Sequence, residues 1–292
     1  MAKASMKTIK RRIKSVGSTL QITKAMEMVA TSKLRRAKAQ ARASRPYFTA
    51  LSDMLSAIAS EKTDFSTVFT RKREVKNRLF IVIAGDRGLA GGYNSNILRL
   101  AAAAEKELDA PVKFIAIGKK AVDSYKRAGR EVIAEFPYFA ETAKASRCAD
   151  ISNLATELFK SGEVDEVRVF YTAFISALQQ DARGLLMLPF EVKPVGEDGN
   201  LPETAPHAAT HYDPSPEAVF DRVIPKLLLS VINGACVESF ASEQVARRNA
   251  MENASDNAEE MIDNLSLQYN RARQEKITNE INEIVGGANA IS

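Results

Sequence analysis

Ile9-Lys10-Arg11-Arg12-Ile13-Lys14-Ser15-Val16-Gly17-Ser18-Thr19-Leu20 is the stretch on which the fold turns, because its apolar residues recur at steps of four, three and four. Such steps mark a seam along one side of a helix. The pattern resumes in phase at Ala30, Leu34, Ala37 and Ala41. Between the two runs the seam positions fall to Thr23 and Glu27, while Ile22, Met26 and Val29 make a second apolar stripe offset by one residue. A change of helix partner is expected there. No glycine follows Gly17 and only Pro46 intervenes before Ala59. The spacing therefore predicts one long helix, kinked or briefly interrupted at Pro46, which lacks a backbone donor.

Moving outward, the charge is as uneven as the apolar pattern. From Met1 to Arg45 there are thirteen Lys or Arg against Glu27 alone, a local +12, although the 292 residues together carry only +5. From Ser215 to Ser292, seven basic and twelve acidic residues give −5. That acidic end also reads as helix. Ser215-Pro216-Glu217 supplies a capping hydroxyl, a proline at the first helical position and a carboxylate near the positive end of the helix dipole. Only Pro225 and Gly234 then oppose helix before Gly286-Gly287, a natural stop. At 1.5 Å per residue the two helices would span roughly 85 and 105 Å, too long for a globule of this size. They are expected to pack on each other over part of their length as a rod, basic beside acidic, as in a coiled coil that prefers its own partner.

Between them the chain alternates. Leu79 to Ala84, Val112 to Ile117, Val132 to Phe136, Val167 to Phe174 and Leu185 to Phe190 read as strands. Helices fit at about Asn96 to Leu108, Lys119 to Ala128 and Ala149 to Lys160. Phe80-Ile81-Val82-Ile83-Ala84 is apolar on both faces, so the sheet needs cover on both sides, which defines an α/β fold. Five prolines from Pro194 to Pro216 mark a surface loop. The expected divisions are residues 1–60 (first long helix), 75–192 (α/β domain), 193–214 (proline-rich loop) and 215–292 (second long helix).

Composition excludes several classes. Hydrophobic residues make up 45% of the chain, ordinary for a protein with a core. The longest apolar run, Leu227 to Val237, is about half the ~20 residues of a membrane span. Two cysteines, Cys148 and Cys236, cannot build a disulfide framework or a four-cysteine zinc site, and are expected to behave as small hydrophobes in helices. His207 and His211 are four apart but lie in the proline-rich loop without a third ligand, and read as a solvated pair. The glycine-rich loop from Gly85 to Gly92 sits between a strand and a helix, where phosphate loops sit, yet Gly92 is followed by Tyr93-Asn94 instead of Lys and Ser or Thr. Its first two glycines also have the wrong spacing for a dinucleotide fingerprint, so it reads as a structural turn. Carboxylates such as Glu259, Glu260, Asp263, Glu275, Glu280 and Glu283 read as a solvated helix face. No catalytic constellation and no cofactor site emerges. The basic helix leaves three readings open: nucleic-acid phosphates, an anionic membrane surface, or an acidic protein partner. The absence of aromatics before Tyr47 and a seam that ties this helix into a coiled coil place a protein partner slightly ahead of nucleic acid, and a free membrane helix last, because the seam is a narrow stripe and not a broad apolar face.

Three blocks together resemble the gamma subunit of F-type ATP synthase. They are Ile9 to Ile13 with Gln21 to Ala30 and Ser32 to Arg36; Asp86-Arg87-Gly88-Leu89 with Gly91 to Asn96; and Ser242-Glu243-Gln244, Ala250 to Ala254, Gln268 to Gln274, Ile277 to Glu280 and Glu283 to Ala288. Ala90 stands where many members carry cysteine, and the regulatory cysteine insertion of chloroplast members is lacking, so thiol switching is not expected. The resemblance implies a central α/β sheet domain inserted between two terminal helices that form an antiparallel coiled coil. It implies a noncatalytic rotor without a cofactor, turned by the membrane c-ring and acting on the catalytic beta subunits. Alpha, beta, epsilon and the c-ring would be its partners, not nucleic acid. By position, Lys24, Met26 and Glu27 match the first helix where it lies by an acidic beta loop; Arg273, Gln274 and Thr278 match the second helix where it meets another. Because the match begins within ten residues of Met1, no uncleaved transit peptide is expected. A bacterial subunit at the cytoplasmic side of the plasma membrane fits, with a processed mitochondrial chain on the matrix side as the alternative.

Overall fold

The strands are short runs of apolar residues, and their alternation decides which helices lie on each side of the sheet. The computed structural model describes residues 6–60, 65–107, 110–139, 145–190 and 212–289. In order the elements are α1 (Met6–Ser60), β1 (Arg78–Ile83), α2 (Tyr93–Lys106), β2 (Val112–Ile117), α3 (Lys119–Arg127), β3 (Val132–Phe136), α4 (Ala145–Ser161), β4 (Glu166–Phe174), β5 (Gln180–Leu188) and α5 (Pro216–Asn289). They form two compact units. One is Lys33–Ala246; the other combines Met1–Ser32 with Arg247–Ser292.

In the first unit the sheet order is β3-β2-β1-β4-β5, with β5 alone antiparallel. Leu79, Ile81 and Ile83 point to the face covered by Cys148, Ile151, Ala155 and Phe159 of α4, by Leu55 and Ile58 of α1, and by Phe220, Ile224, Leu228 and Ile232 of α5. Phe80, Val82 and Ala84 point to the opposite face, against Ile97 and Ala101 of α2 and Ala121, Val122 and Tyr125 of α3. All six β1 and post-β1 side chains are fully buried, each large one contributing roughly 1.5–3 kcal/mol. A third, smaller cluster joins Leu34 and Ala37 of α1 to Ala241 and Val245 of α5. One stretch of α5 is long and apolar enough for a membrane span by composition, but more than half of it is buried, as a core helix is.

The second unit pairs the start of α1 with the last half of α5. Ile9, Thr23 and Ala30 are buried, with Ile13, Val16, Leu20 and Glu27 half-buried between them. On α5, Met251, Ser255, Ala258 and Leu265 are buried, and Ile262, Tyr269 and Ala272 are half-buried, again at steps of four and three. The Thr23 and Ser255 hydroxyls meet at 2.7 Å. Seventeen residues separate Ser255 from Ala272, where burial on α5 ends, and seventeen separate Thr23 from Met6, where α1 begins. The helices therefore run antiparallel, one face of each forming the coiled-coil seam.

Several expectations are corrected. The seam does not change partner in its middle: Thr23 stays in it, its polarity answered by Ser255, while Ile22 and Val29 of the offset stripe are 60% and 55% exposed. Neither Pro46 nor the Gly286-Gly287 pair interrupts its helix. A proline removes one bond from the ladder and a glycine costs about 1 kcal/mol, which neighbouring turns can absorb. Strand β5 starts at Gln180, five residues before the apolar run that announced it, because it is an edge strand with one exposed face and polar residues there. Helix α2 starts at Tyr93 and α4 at Ala145, three and four residues before their apolar periodicity begins. The proline-rich loop, apart from its last residues at 212–214, lies outside the described residues, as do His207 and His211.

Candidate partner-binding surfaces

Three places were singled out by the sequence: the middle of α1, the end of α5 and the glycine-rich loop. On α1, Lys24, Met26 and Glu27 lie within one helical turn. Lys24 is exposed and donates to Glu259 at 2.5 Å, and this hydrogen bond, ahead of the carboxylate's charge, raises the lysine's pKa above its ordinary value. Met26 and Glu27 are half-buried at the edge of the seam. Beside them Ile22, Met28 and Val29 present an uncovered apolar strip, 60%, 70% and 55% exposed. Lys7, Lys10, Arg11, Arg12 and Lys14 are exposed further down the same helix. The arrangement is a dry seam on one side and a surface of cations and apolar side chains on the others.

On α5, Arg273, Gln274 and Thr278 are exposed. They belong to a segment with no described helix beside it, since α1 has already reached Met6 opposite Ala272. Ile277, Ile281 and Ile284 nevertheless recur at steps of four and three, one residue out of phase with the seam, at 44%, 53% and 71% exposure. A helix keeps such a stripe in order to pack it against something. The sequence signal for this surface lies in that spacing, which the sequence reading did not single out. Eighteen residues separate Ser255 from Arg273, about 27 Å along a helix. The two groups of named residues are thus separate patches along α5 and its partner helix, not a single site.

The glycine-rich loop closes on its own chain. Leu89 and Gly91 take positive φ values of 60° and 52°, which turn the chain sharply before α2. The Gly85 amide, placed where a phosphate loop would offer a donor, donates to Asn94 Oδ1 at 2.8 Å, and Asn94 Nδ2 donates back to the Arg87 carbonyl at 3.3 Å. Asp86 Oδ1 accepts from the amides of Lys119 and Tyr138 at 2.9 and 2.7 Å, tying the ends of β1, β2 and β3 together. Lys119 Nζ donates to the Tyr138 hydroxyl at 3.2 Å, the contact that raises this lysine's pKa. These groups hold a turn; they do not point at a ligand. Cys148 and Cys236 are buried in the core of the same unit. A shared hydrogen bond lowers the first thiol's pKa and raises the second's. Among the described residues no three His, Cys, Asp or Glu side chains gather as a metal site.

A family model described as ATP synthase matches residues 5–291. The ATP synthase gamma chain of Ruminococcus albus is 48% identical over 285 residues, 96% of each chain. The sodium-ion-specific ATP synthase gamma chain of Acetobacterium woodii is 39% identical over 300 residues, 99% of each. Among solved structures, a chain of the Euglena gracilis mitochondrial ATP synthase OSCP/F1/c-ring assembly shares the fold with a TM-score of 0.69 at 19% identity, covering 98% of this chain and 94% of that one. A chain of the Tetrahymena thermophila central stalk and c-ring does so with a TM-score of 0.61 at 23% identity, over 80% and 99%.

Proposed function

The chain belongs to the gamma-chain family of ATP synthases, and from that membership we infer that it is the central-stalk rotor of such a complex, a noncatalytic shaft that turns inside a ring of alpha and beta subunits. The observation that carries this reading is the shaft itself: a two-helix rod whose α5 end keeps an exposed apolar stripe past the last seam residue. The c-ring turns the α/β unit, epsilon sits against it, and the rod turns with them. Because the rod is asymmetric, each beta subunit meets in turn the strip around Met26 and the residues around Arg273, and its affinity for nucleotide changes with the face it meets. Catalytic groups lie on beta. The complex is membrane-associated, with this subunit peripheral on the cytoplasmic side of a bacterial plasma membrane.

Electrostatics suit such sliding contacts. An exposed ion pair is worth about 0–1 kcal/mol, so lysines and arginines along α1 can guide the rod past acidic loops without trapping it in one orientation. Lys24, Met26, Glu27, Arg273, Gln274 and Thr278 are the residues proposed to meet beta. The test is rotation. Both native cysteines are buried, whereas Leu178, in the turn between β4 and β5, is 95% exposed. Leu178→Cys, biotinylated and fitted with a bead in a complex assembled with alpha and beta subunits, is expected to turn stepwise in one sense on ATP addition. A complex that hydrolyses ATP beneath a static bead, or a chain that does not assemble with alpha and beta, overturns the reading.

A further inference from the structure

A doubly wound sheet has one position where its loops part in opposite directions, and here the order β3-β2-β1-β4 puts it between β1 and β4. The crevice beyond the carboxyl ends of these strands is where such folds take their ligands. In this chain α5 fills it. Strand β1 ends at Ile83 and its pairing with β4 stops at Val82 and Phe170, so β4 continues past its neighbour with an open edge. Backbone groups on such an edge require partners when buried. Thr172, 5% exposed, finds both on one helix face: its amide donates to Ser239 Oγ at 3.0 Å, and its carbonyl accepts from Ser242 Oγ at 3.2 Å. One residue further along α5, Glu243 is 3% exposed and lays its carboxylate on Gly85, where an added Cβ would stand only 2.8–3.1 Å from it.

Ser239, Ser242 and Glu243 stand at i, i+3 and i+4, a single stripe of the helix. The stripe continues that of Ile232, Ala235 and Cys236, which face the apolar core; it becomes polar beyond the end of β1. We propose that this stripe, closed on Thr172 and Gly85, is the joint that passes torque between the sheet and α5, an inference that rests on the rotor reading. The glycine loop thereby acquires its role: Gly85 is the flat seat of a buried carboxylate. Turning α5 about its own axis relative to the sheet must break two hydrogen bonds in a dry environment and drive Glu243 into the loop. Packing of apolar side chains alone offers no such directional stop.

The test uses the full chain assembled with alpha, beta, epsilon and the membrane sector in vesicles, comparing wild type with Ser239→Ala/Ser242→Ala and, separately, with Glu243→Gln, which keeps the shape and removes the charge. Hydrogen exchange of a peptide containing Thr172 is expected to speed by about tenfold in the double variant while peptides from β1 hold their protection, as for a local opening. ATP hydrolysis should stay within about twofold and ATP-driven proton pumping should fall at least about threefold relative to it, the same sense appearing more weakly in Glu243→Gln. Unchanged exchange at Thr172 overturns the joint, and so does faster exchange with an unchanged ratio of pumping to hydrolysis. Loss of β1 protection in the double variant passes the decision to Glu243→Gln, where an unchanged ratio overturns it. Failure of the wild-type chain to assemble with alpha and beta overturns the rotor reading, and this proposal with it.

Discussion

The two hydroxyls in the middle of the rod give a prediction that separates a closed seam from a switch of partner. Thr23 and Ser255 are 6% and 4% exposed and 2.7 Å apart, and Thr23 Oγ1 also donates to the Leu20 carbonyl at 3.0 Å. Threonine has one hydroxyl hydrogen, so both bonds form together only when Ser255 is the donor to Thr23. The variants then differ. Ser255→Ala removes a bond worth about 1 kcal/mol net and leaves Thr23 still bonded to its own helix, while alanine returns a few tenths through helix propensity. Thr23→Val keeps the shape but leaves the buried serine hydroxyl without its acceptor, at about 1–2 kcal/mol unless it turns back to its own helix. Removing both groups leaves nothing unsatisfied, so the double variant should match or exceed the wild type, with a coupling of about 1 kcal/mol. Hydrogen exchange over Met251 to Leu265, read alongside guanidinium unfolding, should show Thr23→Val opening about fivefold faster for each kcal/mol lost and the double variant restored. Additive losses, or a Thr23→Val variant as protected as wild type, would refute the closed seam.

Met26→Lys should leave the melting midpoint within about 2 °C, since a half-buried site lets the lysine stem lie along the rod with its charge in water, and yet lower ATP-driven proton pumping; pumping and hydrolysis both unchanged in the mutant complex would sink the assignment of this surface to beta. Gly118→Ala forces a φ of 90° on a side chain and sets its Cβ 2.0 Å from the Ala84 carbonyl oxygen, so a loss of at least about 3 kcal/mol is expected, seen as a drop of roughly 6–12 °C in thermal melting. Ile81→Ala, fully buried in a central strand, should cost about 2–5 kcal/mol by the same measurement. Lys24 has its pKa raised by Glu259, so its contribution is fully present below its ordinary value of 10.5 and fades as pH climbs through the higher folded value. Unfolding midpoints measured from pH 9 to 12 should therefore decline more steeply for wild type than for Lys24→Met, and identical curves would count against the contact.

How far these features were legible differs by the physics behind each. Seam positions from Ile9 to Ala41 were legible because burial on one helix face repeats in sequence, and β1 because a strand covered on both sides must be apolar throughout. Strand β5 was half legible: its first residues pair with β4 through backbone atoms, which carry no side-chain signature, and its outer face meets water. Thr23 was read as a weak point because polarity was scored alone; a polar seam residue is sound when its partner, here 232 positions away, is polar too. Ser239 and Ser242 were invisible for the same reason, as they answer backbone groups on another element. The residues proposed to meet beta rest on resemblance to the gamma chain, since an exposed side chain such as Arg273 leaves no burial pattern in its own chain from which a role could be read.

In this sheet the crevice at the switch point is occupied by groups of the chain itself. A parallel sheet ends in a crevice lined by amides, and a ligand there must gain more from those amides than water gives. Here the Gly85 amide already serves Asn94 and Asp86 already holds the loops after β2 and β3, while the buried Glu243 side chain occupies the space over Gly85. A ligand entering there would have to displace that side chain from its buried position. Asn94 takes the Gly85 amide, Ser239 takes the Thr172 amide and Ser242 donates to the Thr172 carbonyl, so these crevice groups are engaged within the chain and hold the helix and the sheet as one body. For a part that must carry load through each turn, a site awaiting a ligand would be a site able to loosen.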